Sequence, residues 1–128
     1  QRLVRKICVN CIQSVSLDTV SRHLLSESPQ LESDLKTLVN KKDLKSLRVF
    51  NGKGCHVCHG SGYKGRIGIF EVLLISDALR EAIVSHKNSD VIRSIAMKEG
   101  MTTMLYDGLR KVVNGQTTME EVFRVTRE

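Results

Sequence analysis

The spacing of apolar residues predicts a chain that is mostly α-helical after residue 75. Apolar positions there recur every three or four residues in four separate segments, and this is the period of a helix with one buried face. Ser76 with Asp77, Ser89, Thr102 or Thr103, and Thr118 are the predicted N-caps, while Gly100 and Gly115 are predicted to end two of the helices. The apolar positions of the four helices are Leu79, Ala82, Ile83, Ile92, Ile95, Ala96, Leu105, Leu109, Val112, Val113, Val122 and Val125.

The first half of the chain has a weaker pattern, and residues 12–50 are interpreted as largely helical and polar. One helix is predicted around Leu17, Val20 and Leu24, and a second around Leu31–Val39, with a break at residues 26–29 between them. Residues 47–50 alternate like a short strand, and residues 67–74 form an apolar run that is typical of a strand covered on both faces. We expect these two strands to form a small antiparallel pair.

Length and composition describe a globular chain of one domain, or slightly more. The 128 residues are 41% apolar and 27% charged. The longest apolar run, Val72–Ile75, has the length of a strand and is far shorter than a membrane span. No secretory signal is recognisable at the start. Residues 1–5 have the character of an internal segment, so we expect the chain to be part of a longer protein.

The net charge of +6 is concentrated in the first part of the chain. Residues 1–70 contain 12 Lys and Arg against 5 Asp and Glu, whereas residues 71–128 contain 8 against 9. One interpretation is local compensation of a negatively charged metal site by Arg5, Lys6 and Lys53. The other is an anionic partner. Aromatic residues are not interleaved with the basic ones, so nucleic acid is not the expected partner.

The most specific chemical signal is a pair of short cysteine motifs, Cys8-x-x-Cys11 and Cys55-x-x-Cys58. A two-residue spacer lets both sulfurs of one motif point at a common centre, and two such motifs supply the four thiolates of a structural zinc site. The 43 residues between Cys11 and Cys55 are a long spacer. Closing a longer loop costs little, about 0.6 kcal/mol per doubling, compared with the binding energy of structural zinc. The predicted metal ligands are therefore Cys8, Cys11, Cys55 and Cys58.

Other roles for these cysteines remain open at the level of sequence. Residues 55–59 match the C-x-x-C-H attachment pattern of c-type haem, but haem would leave Cys8 and Cys11 without a role. Disulfide bonds would need an oxidising compartment, and a redox motif would need a βαβ setting that the pattern does not predict. His56 and His59 compete as ligands, although a complete cysteine set would leave them outside the metal's coordination sphere. Residues 55–62 also resemble one unit of the cysteine-rich zinc region of J-domain co-chaperones.

Three charged residues are candidates for functional roles. Glu71 lies in the apolar run and is interpreted as a structural carboxylate paired with Arg66 or Arg110, the alternative being an interface contact. Arg66 and Arg110 could reach the nucleotide of a neighbouring subunit, but structural ion pairs are the expected role. No residue of the chain is predicted to be catalytic.

Three ordered segments at the start, middle and end of the chain together form a recognisable pattern. The first is residues 1–11, which end in the Cys8-x-x-Cys11 motif. The second is residues 54–71, which contain Gly54-Cys55-x-x-Cys58-x-Gly60-x-Gly62-Tyr63-Lys64-Gly65-Arg66. The third comprises residues 107–112 and 115–126. With these segments the chain resembles, across its whole length, the C-terminal portion of the type II secretion and type IV pilus extension motor ATPases, which carry a tetracysteine motif.

This resemblance implies a hexameric, RecA-like motor that hydrolyses ATP in the cytoplasm at the inner membrane. The implied partners are the upstream RecA-like core, neighbouring subunits of a homohexamer and inner-membrane platform proteins. The chain has no G-x-x-x-x-G-K-[ST] loop, so the sites for ATP and Mg²⁺ would lie upstream, and no activity is expected of the chain alone.

The expected fold is therefore an α-rich α+β fold, with a zinc-braced strand pair and about six short helices, and not a complete RecA-like core. The predicted division is a zinc-binding subdomain at residues 1–75 and a helical subdomain at residues 76–128. The alternative function is an autonomous zinc module that binds protein or nucleic acid, which salt-dependent binding to DNA would favour.

Overall fold

The computed structural model describes residues 1–17, 29–40, 44 and 47–126, with the backbone alone for residues 29–31. Within these ranges the chain forms four β-strands: β1 Arg2–Ile7, β2 Ile12–Ser16, β3 Arg48–Gly52 and β4 Tyr63–Ile69. A single 3₁₀ turn covers His56–Cys58. Five α-helices are described: α1 Pro29–Val39, α2 Asp77–Val84, α3 Ser89–Lys98, α4 Met104–Val113 and α5 Met119–Thr126.

The strands form two separate antiparallel pairs. β1 pairs with β4, so that Val4 lies opposite Ile67 and Arg5 opposite Arg66. β2 pairs with β3, so that Val15 lies opposite Val49. The predicted pairing of residues 47–50 with residues 67–74 is therefore wrong. The two strands that flank each cysteine motif do not pair with each other. Each one pairs instead with a strand that flanks the other motif.

Two further predictions for the first half need correction. Residues 12–16 are a strand and not part of a helix, because every one of them has a cross-strand partner in β3. The predicted strand through residue 74 ends at Ile69, and residues 70–76 belong to no helix or strand. The helix predicted around Leu17, Val20 and Leu24 falls mainly on residues 18–28, outside the described residues. About six helices were expected, and the described part of the chain contains five.

The four helices predicted after residue 75 are confirmed. Ser76 caps α2 as predicted, since its hydroxyl accepts a hydrogen bond from the backbone N–H of Leu79 at 3.1 Å. The cap of α3 is Asn88 and not Ser89, because the Asn88 side-chain oxygen accepts from the N–H of Val91. The sequence pattern thus located these helices to within a residue or two.

The chain divides into two compact units. The first consists of Gln1–Phe70 together with Met104–Glu128. Its main apolar core is formed by strands β2 and β3 and helices α1, α4 and α5, and a smaller cluster joins β1, β4 and α5. The members with 0% exposure are Leu35, Leu109, Val112, Val122, Val4 and Ile69.

The second unit, Glu71–Thr103, contains helices α2 and α3. Its buried apolar residues in the structure are Leu79, Ala82 and Ala96. By their contacts, helices α4 and α5 thus group with the strands that flank the cysteine motifs, whereas the sequence placed them in one subdomain with α2 and α3. The division into domains at residues 1–75 and 76–128 remains a prediction. No helix in the described part of the chain has the length and apolar character needed to cross a membrane.

Candidate metal centre

The first cysteine motif is the tight turn that joins β1 to β2. β1 ends at Ile7, and the N–H of Cys11 donates back to the carbonyl of Cys8 at 3.2 Å. This hydrogen bond folds the motif into one turn, after which β2 begins at Ile12. Cys8 is completely buried, whereas Cys11 is partly accessible.

The second motif joins β3 to β4 through a 3₁₀ turn and a series of glycines. Gly60 donates its N–H to the carbonyl of Cys55 at 2.9 Å, which closes the turn. His59 adopts a left-handed conformation with φ of 52°, and Gly60 and Gly62 follow with φ of 77° and 76°. Successive positive φ values reverse the chain within a few residues, which explains why the sequence is glycine-rich here.

Backbone hydrogen bonds join the two turns directly. The N–H of Cys8 donates to the carbonyl of Gly62 at 2.9 Å, and the N–H of Lys53 donates to the carbonyl of Cys11 at 2.9 Å. Within the second motif, Gly52 at the end of β3 approaches Gly62, just before β4, so closely that a Cβ added at Gly52 would lie 2.0 Å from the carbonyl oxygen of Gly62. Only glycine fits at this approach. The hydrogen bonds hold the two turns together, and the glycine contact closes the second turn.

This arrangement brings the four sulfur atoms into one cluster. The Sγ atoms of Cys8 and Cys55 are 3.9 Å apart, those of Cys11 and Cys58 are 3.8 Å apart, and those of Cys55 and Cys58 are 3.7 Å apart. All four lie within 4.8 Å of one another, and none forms a disulfide. A tetrahedral site with zinc–sulfur bonds of about 2.3 Å spaces its sulfurs by about 3.8 Å. The cluster therefore has the size and the donor set of a zinc site, and it could hold a metal ion.

Backbone amides also point at the sulfurs. The N–H groups of Cys55 and Gly62 donate to the Sγ of Cys58 at 3.2 and 3.3 Å, and the N–H of Gly54 donates to the Sγ of Cys11 at 3.3 Å. Such bonds stabilise a thiolate, which is the form that binds metals.

The pKa values of two thiols diverge within the cluster. Burial of Cys58 raises its pKa, but hydrogen bonds from the N–H groups of Cys55 and Gly62 and from neighbouring thiols outweigh this and lower the pKa to about 6. Burial and the sulfurs of Cys58, Cys55 and Cys8 raise the pKa of Cys11 to about 12. Neighbouring thiolates repel one another, so closely spaced thiols do not all lose their protons together. A divalent cation would offset that repulsion.

The structure also describes the two histidines and the three charged residues that the sequence analysis named. His56 and His59 are exposed, and in the described part of the chain the cluster consists of the four cysteines alone. Arg66 is exposed and opposite Arg5 on the neighbouring strand. Arg110 pairs with Asp107 at 2.9 Å, and Glu71 is exposed and not buried in a strand.

A second polar centre, around Glu121, was missed by the sequence analysis. Glu121 is 1% exposed, and its carboxylate accepts hydrogen bonds from the backbone N–H and the guanidinium of Arg5 and from the guanidinium of Arg124. Thr117 adds a hydrogen bond from its hydroxyl to the carbonyl of Arg5 at 2.8 Å. These contacts fasten strand β1, which leads into the first cysteine turn, to the start of α5.

The sequence did contain a partial signal for this centre. Thr118-x-x-Glu121 was interpreted as a capping box, and the Thr118 hydroxyl does accept from the N–H of Glu121, at 3.4 Å. In the structure the Glu121 carboxylate bonds to Arg5 and Arg124. A carboxylate in the first turn of a helix therefore has a long-range partner that lies 116 residues earlier in the chain.

Comparison with known proteins assigns the chain to a family. Residues 1–124 match the family described as "Type II/IV secretion system protein", and the chain belongs to this family. It is 40% identical, along its whole length, to a protein of Thermus thermophilus named type IV pilus assembly ATPase PilB, and 42% identical to type II secretion system protein E of Pectobacterium carotovorum. It is 34% identical to type II secretion system ATPase E of Vibrio cholerae. The chain spans 13%, 22% and 22% of the length of these three relatives.

Proposed function

We propose that the chain is the zinc-stabilised C-terminal domain of a hexameric ATPase that drives type II secretion or type IV pilus assembly. The observation that carries this proposal is the convergence of four cysteine sulfurs within 4.8 Å, in a chain that matches the secretion family over residues 1–124. The names of the relatives support an ATPase of secretion or pilus assembly.

Zinc would be held by Cys8, Cys11, Cys55 and Cys58. With four thiolate ligands and no ligand position left for a substrate, its role would be structural. It would cross-link two turns whose cysteines lie 47 residues apart in the sequence. Because the same turns are joined to α5 through β1, Arg5 and Glu121, the metal and this ion-pair centre would make one stiff unit.

ATP binding and hydrolysis would belong to the part of the protein that precedes residue 1, together with Mg²⁺. The chain itself contains no phosphate-binding loop of the G-x-x-x-x-G-K-[ST] type. Its proposed part in the mechanism is to transmit nucleotide-driven motion of a RecA-like core to neighbouring subunits and to platform proteins. The proposed location is the cytoplasmic face of the inner membrane.

The test uses the full-length gene product and the variant Cys55→Ser. We expect the wild type to carry one zinc ion per subunit and the variant to lose most of it, together with ATP-driven secretion or pilus assembly. His56→Ala is the matched control, since His56 is an exposed neighbour of the same turn and should retain both. Wild-type function in a zinc-free Cys55→Ser protein would refute the structural role of the metal.

A further inference from the structure

One edge of strand β1 pairs with β4, and the other edge is covered by residues 116–121, which lead into α5 and form its first turn. Backbone polar groups of successive strand residues point to opposite edges, so those of Arg5 and Ile7 share the edge away from β4. The N–H of Ile7 donates to the carbonyl of Gln116 at 3.0 Å, and the hydroxyl of Thr117 donates to the carbonyl of Arg5 at 2.8 Å. The N–H of Arg5 donates to Glu121. These bonds fasten the outer edge of β1 to the start of α5.

The fastened edge ends at the first cysteine of the cluster. Ile7 is the last residue of β1, and Cys8 follows it directly. The N–H of Cys8 points to the opposite edge and donates to the carbonyl of Gly62 at 2.9 Å. Ile7 and Cys8 are both buried. This strand end cannot shift without breaking bonds to residues 116–121 or to the second cysteine turn, so the position of the Cys8 sulfur depends on both.

The same residues also contact the second cysteine turn. The hydroxyl of Tyr63 lies 2.9 Å from that of Thr118. Tyr63 directly follows Gly62, whose N–H donates to the Sγ of Cys58 at 3.3 Å. Residues 116–121 therefore hold the chain beside one cysteine of each motif.

Glu121 adds a buried charge to these contacts. Its carboxylate is bonded to the backbone and the guanidinium of Arg5 and to the guanidinium of Arg124. A buried carboxylate that loses its partners is strongly unfavourable. Displacement of β1 would remove both Arg5 contacts and leave the charge with Arg124. The carboxylate thus favours the position of β1 in which the Cys8 sulfur lies within the cluster.

We propose that residues 116–121 position the two cysteine turns for the metal ion, with Glu121 as the main positioning residue. Zinc binding and the docking of these residues on β1 stabilise each other. The inference rests on the proposed function, because it takes the cysteine cluster to be a zinc site. Coupling of this kind is reciprocal, so a contact that strengthens zinc binding is strengthened by zinc to the same extent. The docking of the final helix therefore responds to whether the metal is bound.

The zinc affinity of the full-length gene product, measured by competition with a chromogenic chelator in the absence of nucleotide, tests the proposal. Glu121→Gln should weaken zinc binding about tenfold, an effect typical of residues that orient metal ligands. Two control variants should stay within about twofold of wild type. Glu120→Gln alters an exposed carboxylate of the same helix, and Leu35→Ala destabilises the main apolar core, which contains no described residue of β1.

The possible results separate the inference from the proposed function. Wild-type affinity in Glu121→Gln, or an equal loss of affinity in Leu35→Ala, would overturn the inference. A wild-type protein that binds no zinc would instead refute the proposed function.

A matched pair of substitutions at Thr117 distinguishes positioning from general stability. Thr117 is completely buried. Thr117→Val keeps the shape of the side chain and loses the hydrogen bond to Arg5, so it should weaken zinc binding about fivefold. Thr117→Ser keeps the hydroxyl and loses a buried methyl group, so it should lower the melting temperature but keep the zinc affinity within about twofold. Equal zinc affinities of the two variants would contradict the assigned role.

Hydrogen exchange measured by mass spectrometry tests the coupling in the other direction. Removal of zinc from the full-length protein by a chelator should speed exchange about tenfold at the amides of Arg5 and Ile7 and of residues 122–125 in α5. Residues 35–39 of α1 should keep their exchange rates. Unchanged exchange in α5, or an equal acceleration in α1, would overturn the inference.

Discussion

The carboxylate of Glu121 accepts a hydrogen bond from the backbone N–H of Arg5 at 2.9 Å, across 116 residues of sequence. A second oxygen of the same carboxylate binds the Arg5 guanidinium at 2.7 Å, and this guanidinium lies 4.2 Å from the centre of the Tyr63 ring. The Tyr63 hydroxyl is in turn 2.9 Å from that of Thr118. One buried side chain thus ties together the first strand, the last strand and the final helix.

Glu121→Gln should destabilise the chain by about 2 kcal/mol, because the amide keeps the volume but loses the charge that pairs with Arg5 and Arg124. Both arginines are about half exposed, which limits the loss. Urea unfolding followed by circular dichroism measures this change. Glu120→Gln is the matched control, since Glu120 is exposed on the same helix and should stay within about 0.5 kcal/mol of wild type. Equal stabilities of the two variants would contradict the role assigned to Glu121.

Glu121 also predicts a pH dependence of stability. Burial raises its pKa, but the hydrogen bonds from Arg124 and Arg5 outweigh this and lower the pKa from 4.5 to about 2. A carboxyl whose pKa is lower in the folded state stabilises the fold above its unfolded pKa. This stabilisation is present above about pH 4.5 and is lost as the pH falls toward 2. Unfolding free energies measured between pH 6 and pH 2 should fall more steeply for wild type than for Glu121→Gln, and parallel curves would argue against this assignment.

The close approach of Gly52 and Gly62, on either side of the second cysteine motif, gives a prediction for glycine substitutions. Gly62 and Gly60 have nearly the same positive φ, 76° and 77°, so alanine is strained equally at both. A Cβ at Gly62 would lie 2.5 Å from the Gly52 carbonyl oxygen, whereas a Cβ at Gly60 has nothing within 4 Å.

Gly62→Ala should therefore cost about 2 kcal/mol more than Gly60→Ala and should weaken zinc binding at least about tenfold. Competition with a chromogenic chelator measures the affinity, and thermal unfolding measures the stability. Similar behaviour of the two variants would mean that the second cysteine turn does not depend on this backbone approach.

Asp107 ends β4 through a hydrogen bond from the N–H of Phe70 at 3.0 Å, while Lys111 and Arg110 pair with its carboxylate. Although burial raises its pKa, the hydrogen bond from Lys111 and then that from Phe70 lower it overall. Asp107→Asn should cost about 1–2 kcal/mol, since Lys111 is left with a neutral partner while only 12% of its side chain is exposed. Thermal unfolding measures the loss. Asp90→Asn, at an exposed position in the first turn of α3, is the control and should cost less than about 0.5 kcal/mol.

The features that could be predicted from sequence are those encoded within a few residues. The caps and periodicity of α2 to α5 are local, and so is the C-x-x-C spacing that places two sulfurs on one turn. Strand pairing is different, because the choice of β4 as the partner of β1 depends on contacts about 60 residues apart in sequence. Residues 12–16 have no strong helix or strand pattern of their own. Their conformation is therefore set by pairing with β3, a contact that the local sequence does not indicate.

Long-range polar contacts could not be predicted from the sequence either. Nothing near Glu121 in the sequence indicates that Arg5 is its partner, and its position in the first turn of a helix favours a purely local role. Residues 70–75 show the opposite case. Their pattern is that of a covered strand, whereas the structure leaves Val72–Ile75 exposed and without a strand assignment.

The most direct test of the central claim is an X-ray absorption spectrum at the zinc edge of the purified protein. The account predicts one zinc ion per chain, surrounded by four sulfur atoms at about 2.3 Å. A spectrum with nitrogen or oxygen ligands in place of two or more sulfurs, or a protein that folds with no bound zinc, would contradict it.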